Sequence, residues 1–250
     1  MNYSIVITTF DKRFESDLVP LIQSIKELRP NMEIILTVNG PAHADFDQQY
    51  RAKLFEFLAK YNGIYPVVFP TFQSLAKLWN RGVLAATNNS ALVLNDDLKI
   101  QKLEGRSFFD GLDSALQLAP ETFTINGSFS HFMISKKELL EVGCFDERLL
   151  GLGEEDGDFY WRYHEKYNRE IPNLEVDLID NVHSDVADSG YTKGIRTASK
   201  FNREFIKEQK YKDVLLGGYR GMFDKRVKKV LMDHQQYPYE AFYLANKDKL

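Results

Sequence analysis

The chain alternates short, almost wholly apolar runs with longer stretches of helical period, and this alternation is what most constrains its fold. Ser4-Ile5-Val6-Ile7-Thr8-Thr9 is nearly continuous in apolar and β-branched residues, the composition of a strand buried on both faces. Leu18, Leu21, Ile22, Ile25 and Leu28 then recur at helical spacing until Pro30 stops the helix. Glu33 to Val38 reads as a second strand, closed by Asn39-Gly40-Pro41. Phe46 to Tyr61 reads as a second helix, Tyr65 to Phe69 as a third strand, Leu75 to Ala86 as a third helix and Ala91 to Leu94 as a fourth strand. Strands and helices alternating at this pace imply βαβ units and a parallel sheet. Sheets of that kind bind ligands at the carboxyl ends of their strands. Thr8-Thr9-Phe10-Asp11, Asn39-Gly40 and Asn95-Asp96-Asp97 all fall at such ends and are expected to converge.

The pattern changes after about residue 100. Phe123 to Ile134 reads loosely as a strand with a bend, Lys136 to Val142 as a short helix and Asp156 to Lys166 as a helix with an acidic N-terminus, where the helix dipole favours carboxylates. A strand from Leu174 to Ile179 leads to His183, and from Thr197 the chain reads as helical. Residues 1–196 are expected to form one α/β domain, with 197–250 a helical appendage. Hydrophobic residues make up 44% of 250, enough for a sizeable core, and the net charge of −4 argues against a general nucleic-acid binder. The single Cys144 permits no intrachain disulfide and fits a reducing, cytoplasmic setting. No basic n-region precedes the first strand and no run of about 18 apolar residues exists, so neither a signal peptide nor a membrane span is expected.

Two acidic clusters carry the chemistry. Asn95-Asp96-Asp97 follows the apolar run Ala91 to Leu94, and Glu154-Glu155-Asp156-Gly157-Asp158 opens a helix. Carboxylates at the end of a buried strand are costly unless they hold a cation or do chemistry. One cluster can hold a divalent metal while the other takes a proton. Thr8, Thr9, Phe10, Asp11 and Asn39 are candidate nucleoside contacts, although Thr, Asp and Asn are also ordinary turn residues. Lys77 and Arg81 are spaced i, i+4 and either can reach a phosphate or base; the same spacing describes a solvated helix face. Trp161 can stack on a sugar or serve as core, with the balance slightly toward the sugar. Gly127-Ser128-Phe129-Ser130-His131 reads as a loop on the acceptor side. Arg220, Lys225, Arg226, Lys228 and Lys229 lie among apolar residues. A basic amphipathic helix of that kind packs on the main domain or a partner subunit, or makes peripheral contact with the inner face of a membrane.

Taken in order, these residues resemble family-2 glycosyltransferases of the GT-A fold. Ile5-Val6-Ile7-Thr8-Thr9-Phe10-Asp11 is similar to that family's first strand and nucleotide-contacting turn, Asn80-Arg81-Gly82 to its Asn-x-Gly helix, and Leu94-Asn95-Asp96-Asp97 to its DxD-type motif. Gly143-Cys144-Phe145-Asp146-Glu147 with Glu155-Asp156 resembles its Gly-x-Phe-Asp-Glu and Glu-Asp segments, and Val182-His183 its late Val-His. The resemblance covers about residues 3 to 190. It implies a Rossmann-like, mostly parallel mixed sheet flanked by helices, and a metal-dependent inverting glycosyltransferase. It further implies Mn²⁺ or Mg²⁺ on Asp97 and His183, and Asp156 as the base for the acceptor hydroxyl, with Glu155 and Trp161 beside it. The donor implied is a nucleoside-diphosphate sugar, a UDP-sugar above others, with Asp96, Lys77, Asn80 and Arg81 among its contacts. The acceptor implied is a saccharide or lipid-linked saccharide. Val38 stands where the family often has Asp, and Asn95 replaces the first Asp of a strict DxD. Two rivals share the fold. A nucleotidyltransferase needs a glycine-rich loop after the first strand, and Phe10-Asp11-Lys12-Arg13-Phe14-Glu15 contains no glycine. A non-catalytic sugar binder has no use for the Glu155-Asp156 pair.

Overall fold

The computed structural model describes residues 2–117, 121–182, 191–213, 229–231, 245, 246 and 248. Five strands of the first half are β1 (Ser4–Phe10), β2 (Ile34–Asn39), β3 (Ile64–Val68), β4 (Ser90–Asn95) and β5 (Leu98–Ile100). The helices between them are α1 (Val19–Leu28), α2 (Gln48–Leu58) and α3 (Leu75–Ala85). Two short strands, β6 (Lys102–Leu103) and β7 (Arg106–Ser107), lead to α4 (Phe108–Leu116). β8 (Phe123–Ile125), β9 (Ser128–Ser135), α5 (Lys136–Val142), α6 (Glu155–Tyr167), β10 (Asn173–Leu174) and β11 (Ile179–Asn181) follow. Last come α7 (Tyr191–Phe205), β12 (Tyr211–Asp213) and β13 (Lys229–Leu231).

Seven strands form the main sheet in the order β10-β8-β9-β4-β1-β2-β3. β3, β2, β1 and β4 are parallel to one another, β9 runs antiparallel to β4 and to β8, and β10 is parallel to β8. This is the mostly parallel, helix-flanked α/β sheet expected from the strand–helix alternation. The buried run of β1 explains its continuous apolar sequence: Ser4 to Thr9 are all buried. One sheet face packs Ile5, Ile7, Leu36, Leu92 and Leu94 against α1, α2 and α4. On the other face Gly82 of α3 comes so close to β1 that an added Cβ would lie 2.3 Å from Val6 Cγ1. The Asn-x-Gly segment is therefore a packing device, whatever else it does. Pro20 sits in the first turn of α1, where its missing N–H is no loss, and Asp47 caps α2 by accepting from Gln49 and Tyr50 N–H groups.

Several local expectations are corrected. The bent strand over Phe123 to Ile134 is a hairpin of β8 and β9, closed by Asn126-Gly127 with φ of +52° and +70°. Asn-Gly supplies the two positive φ values that a tight two-residue hairpin needs. The stretch 127–131 is thus a turn and the start of β9 rather than a loop. The strand expected over Leu174 to Ile179 is two separate pieces: β10 joins the main sheet, and β11 pairs with β5. α4 was not anticipated; Asp110 marks its start by accepting from the Ser107 N–H at 2.8 Å. The end of the expected basic helix, Lys229–Leu231, is a strand antiparallel to β12; Arg220, Lys225, Arg226 and Lys228 lie outside the described residues. Among the described residues no helix is long and apolar enough to cross a membrane.

The chain forms two compact units. One comprises Met1–Gln73, Leu78–Glu138 and Pro172–Ser184, and the other Ser74–Lys77, Leu139–Ile171 and Asp185–Leu250.

Candidate functional site

In the first unit, strand register gathers the polar ends of β1, β2 and β4. Phe10 lies opposite Asn39 and Thr8 opposite Asn95. Thr8 and Thr9 are buried, Phe10 is partly covered, and Asp11 is exposed and accepts from the Lys12 N–H. A residue that the sequence did not single out dominates this edge. Arg13, at the end of the 3-10 turn after β1, places Nη1 2.8 Å from Asp96 Oδ1 and 3.1 Å from Asp97 Oδ2. Its guanidinium also lies over the Phe10 ring, 5.3 Å from the centroid. Asp96 is 2% exposed. Burial pushes its carboxyl up to about 7, with Arg13 pulling the other way.

One guanidinium does not satisfy this edge. The Thr9 hydroxyl supports Asp96 beside Arg13, but among the described residues Asp97 Oδ1 and Asn95 Oδ1 are buried without a hydrogen-bond partner, an uncommon condition that calls for a reason. Among the described residues no group of three or more His, Cys, Asp or Glu side chains forms a metal cage. A pair of adjacent carboxylates beside unpartnered oxygens nonetheless fits a hard divalent cation whose remaining ligands come from phosphate and water. The backbone N–H of Val182 donates to the Asp97 carbonyl at 2.8 Å. The next residue, His183, lies outside the described residues.

Asn39, expected to contact the nucleoside, has its amide engaged elsewhere. Its Oδ1 accepts from Gln73 N at 2.8 Å and its Nδ2 donates to Gln73 O at 3.0 Å. Gly40 is pressed against the next segment, where a Cβ would lie 2.6 Å from Pro70 C and Thr71 N. Asn39-Gly40 thus ties β2 to the 69–73 segment through side-chain and backbone fit. Asn80 is fully buried in α3, Arg81 is half-buried in the same unit, and Lys77, half-buried, belongs to the second unit.

In the second unit a strained turn delivers the acidic segment. Gly151, Gly153 and Glu154 have φ of +57°, +116° and +77° before α6 begins. A left-handed glutamate is uncommon and stays only where its surroundings enforce it. They do so here through α7: Ser199 Oγ and Arg203 Nε both donate to Glu154 Oε1, at 3.0 and 2.6 Å. Buried Asn202 accepts from Leu150 N and donates to the Leu150 and Gly153 carbonyls.

At the start of α6 burial raises two neighbouring carboxyls. Burial raises Glu155 to about 8, helped by the charge of Asp156, and its Oε2 accepts from Gly153 N at 2.6 Å. Glu155 therefore carries a proton at neutral pH. Asp156 is also raised by burial, while the Gly157 N–H, 2.7 Å from its Oδ1, holds it back. Asp158 is different. Burial would raise it, but Arg162 and Lys210 outweigh burial and hold it well below the usual range. Lys210 Nζ is fully buried, 2.5 Å from Asp146 Oδ2 and 2.8 Å from Asp158 Oδ1. Tyr211 OH donates to Asp158 Oδ1 at 2.6 Å, and Arg148 pairs with Asp146. Asp158 is thus part of a buried ionic brace.

A family model described as glycosyltransferase like family 2 matches residues 72–206, more than half of the chain. The chain belongs to that family. No curated protein matches the chain by sequence. Solved structures do match it in fold. Staphylococcus aureus TarS 1–349 in complex with UDP is 14% identical with a TM-score of 0.51, covering 70% of this chain and 58% of that one. S. aureus TarS is 15% identical with a TM-score of 0.53, covering 84% of this chain and 40% of that one. GalNAc-T7 with UDP, GalNAc and Mn²⁺ is 13% identical with a TM-score of 0.50, covering 71% and 43%. At these identities the likeness carries the GT-A fold, and the chain spans 58% of the UDP-bound TarS chain.

One expected contact is corrected. Trp161 is not presented as a sugar platform. It is buried among Leu149, Phe205, Ile206 and Tyr211, with the Tyr211 ring edge-on at 4.8 Å. Its helical position one turn past the acidic residues could have signalled this, because Phe159 and Tyr163 flank it in the same buried helix. Arg13 and Lys210 gave no such signal, since their partners are 83 and 64 residues away in sequence.

Proposed function

We propose that this chain moves a sugar, with inversion, from a UDP-sugar to a hydroxyl of a saccharide or lipid-linked saccharide, as in surface polysaccharide or glycoconjugate synthesis. The observation that carries the reading is the pair of buried carboxyls at the start of α6: burial pushes Glu155 up to about 8, and Asp156 is also raised by burial but is held back by the Gly157 N–H. A carboxyl raised by burial beside a second one is what a site needs to take a proton. Asp156 takes the acceptor hydroxyl proton as the oxygen bonds to the anomeric carbon. The bond from that carbon to the donor phosphate breaks, and its electron pair leaves with UDP. Protonated Glu155 donates a hydrogen bond and adds no second charge beside the base. A single displacement of this kind inverts the anomeric centre.

Thr8, Thr9, Phe10 and Asp11 hold the nucleoside at the end of β1, with Asp96 beside them. Asp97, with Asp96, would hold Mn²⁺ or Mg²⁺ through carboxylate oxygens, Asp97 Oδ1 being buried without a partner among the described residues, and His183 would add a ring nitrogen. A bound divalent cation supplies positive charge for the departing diphosphate. The UDP-bound neighbours support the donor class, and the Mn²⁺ in the GalNAc-T7 structure supports the metal.

The reading is tested by a thermal-shift screen of nucleoside diphosphates and UDP-sugars with and without Mn²⁺. A ligand at about 100 times its Kd adds roughly 2.7 kcal/mol, which raises the Tm of a chain this size by about 5–10 °C. At least one UDP compound with Mn²⁺ is expected to do so. No shift with any of them contradicts the reading.

A further inference from the structure

Arg13 holds both carboxylates of the Asp96–Asp97 pair, at 2.8 and 3.1 Å. Yet Asp97 Oδ1 and the neighbouring Asn95 Oδ1 are buried without a hydrogen-bond partner among the described residues. A purely structural buried ion pair satisfies its remaining lone pairs, because an unsatisfied one is destabilising. Two buried oxygens without partners, Asp97 Oδ1 and Asn95 Oδ1, beside that guanidinium fit a second cation. Arg13 is also on a short element at the end of β1. Its three-residue 3-10 turn, Asp11–Arg13, contains no buried residue, and the side chain rests on the Phe10 ring at the mouth of β1.

A divalent cation and a guanidinium on the same two carboxylates repel each other strongly at such separations in a poorly hydrated setting. An anion placed beside both removes the repulsion. A diphosphate is that anion, and a planar guanidinium takes phosphate oxygens in pairs as readily as it takes carboxylates. The geometry points to Arg13 as a transferable counter-cation: it guards Asp96 and Asp97 until a donor diphosphate draws its guanidinium away, so that nucleotide and metal bind with positive coupling through this one side chain. The inference rests on the proposed donor chemistry and adds to it a phosphate-binding residue that also sets the order of metal loading. By reciprocity, whatever UDP adds to metal affinity, the metal adds to UDP affinity.

The test is Mn²⁺ binding by the full chain, read from the electron paramagnetic resonance of free Mn²⁺, with and without UDP. Wild type is expected to bind Mn²⁺ alone weakly and to bind it far more tightly with UDP. Arg13→Gln is expected to bind Mn²⁺ alone at least about 5-fold more tightly than wild type, within the usual range of coupling, and to gain less from UDP. Equal affinity of the two proteins for Mn²⁺ alone overturns the inference. Arg13→Lys covers the case in which Arg13→Gln does not fold: an ammonium cannot grip both carboxylates as a fork does, so its affinity for Mn²⁺ alone should exceed wild type by a smaller factor, and equality again overturns the inference. If wild type with Mn²⁺ binds UDP but the variants match it throughout, only Arg13's role falls. If no UDP binding occurs under any condition, the donor reading falls and the coupling with it.

Discussion

Glu155 and Asp156 are neighbours to which the proposed reaction gives different duties, and burial raises both. Glu155 is deeply buried, and burial outweighs the backbone N–H groups of Glu155 and Gly153, so its proton is retained to about pH 8. This has a consequence for stability. Folding raises its pKa from the ordinary 4.5 to about 8, so its contribution is fully present below pH 4.5 and is lost as pH rises toward 8. Urea unfolding across that window should show stability falling with pH. In Glu155→Gln the fall should flatten, because a neutral amide has no proton to lose; an unchanged slope would reject the assignment. The acidic segment was legible in sequence as chemistry, with Asp156 taken as base and Asp158 as a helix-end or bracing residue. What the sequence did not carry is the partners of that brace, Arg162 and Lys210. Arg13 escaped notice for the same reason: nothing in a linear sequence says which distant carboxylates a guanidinium will meet.

Among elements, α7 gives the acidic turn its shape. Asn202 makes three hydrogen bonds to backbone groups of Leu150 and Gly153, while Ser199 and Arg203 fix the left-handed Glu154. Asn202→Ala leaves buried backbone groups unpaired at about 1–3 kcal/mol. It is expected to lower Tm by several degrees and kcat by at least about 10-fold, with UDP affinity unchanged. Loss of UDP affinity in step with kcat would argue that α7 acts by general destabilisation. Elements with strong local signals were readable: β1 and β4 by their continuous apolar runs, and α1 by its spacing and Pro30. The hairpin at Asn126-Gly127 and the Ser107–Asp110 start of α4 had readable local signals that a coarser reading passed over. The split of 174–181 into β10 and β11 had none, because two- and three-residue strands owe their existence to their partners.

Over the whole chain, the parallel order β3-β2-β1-β4 brings three polar strand ends to one edge. The fold class could be read because strands buried on both faces leave little choice of residue. Gly82 and Gly40 mark where backbones come too close for a side chain, and without the structure either glycine reads equally as a functional turn. The Asp146–Lys210–Asp158 brace was unreadable, because it joins segments far apart in sequence through fully buried charges. The central claim is that this chain transfers sugar with Asp156 as the base. It is tested most directly by UDP release from UDP-sugars with Mn²⁺ and acceptor, comparing wild type with Asp156→Asn. The account predicts donor binding unchanged and turnover lowered by about 100- to 10,000-fold, while turnover within a few-fold of wild type would contradict it.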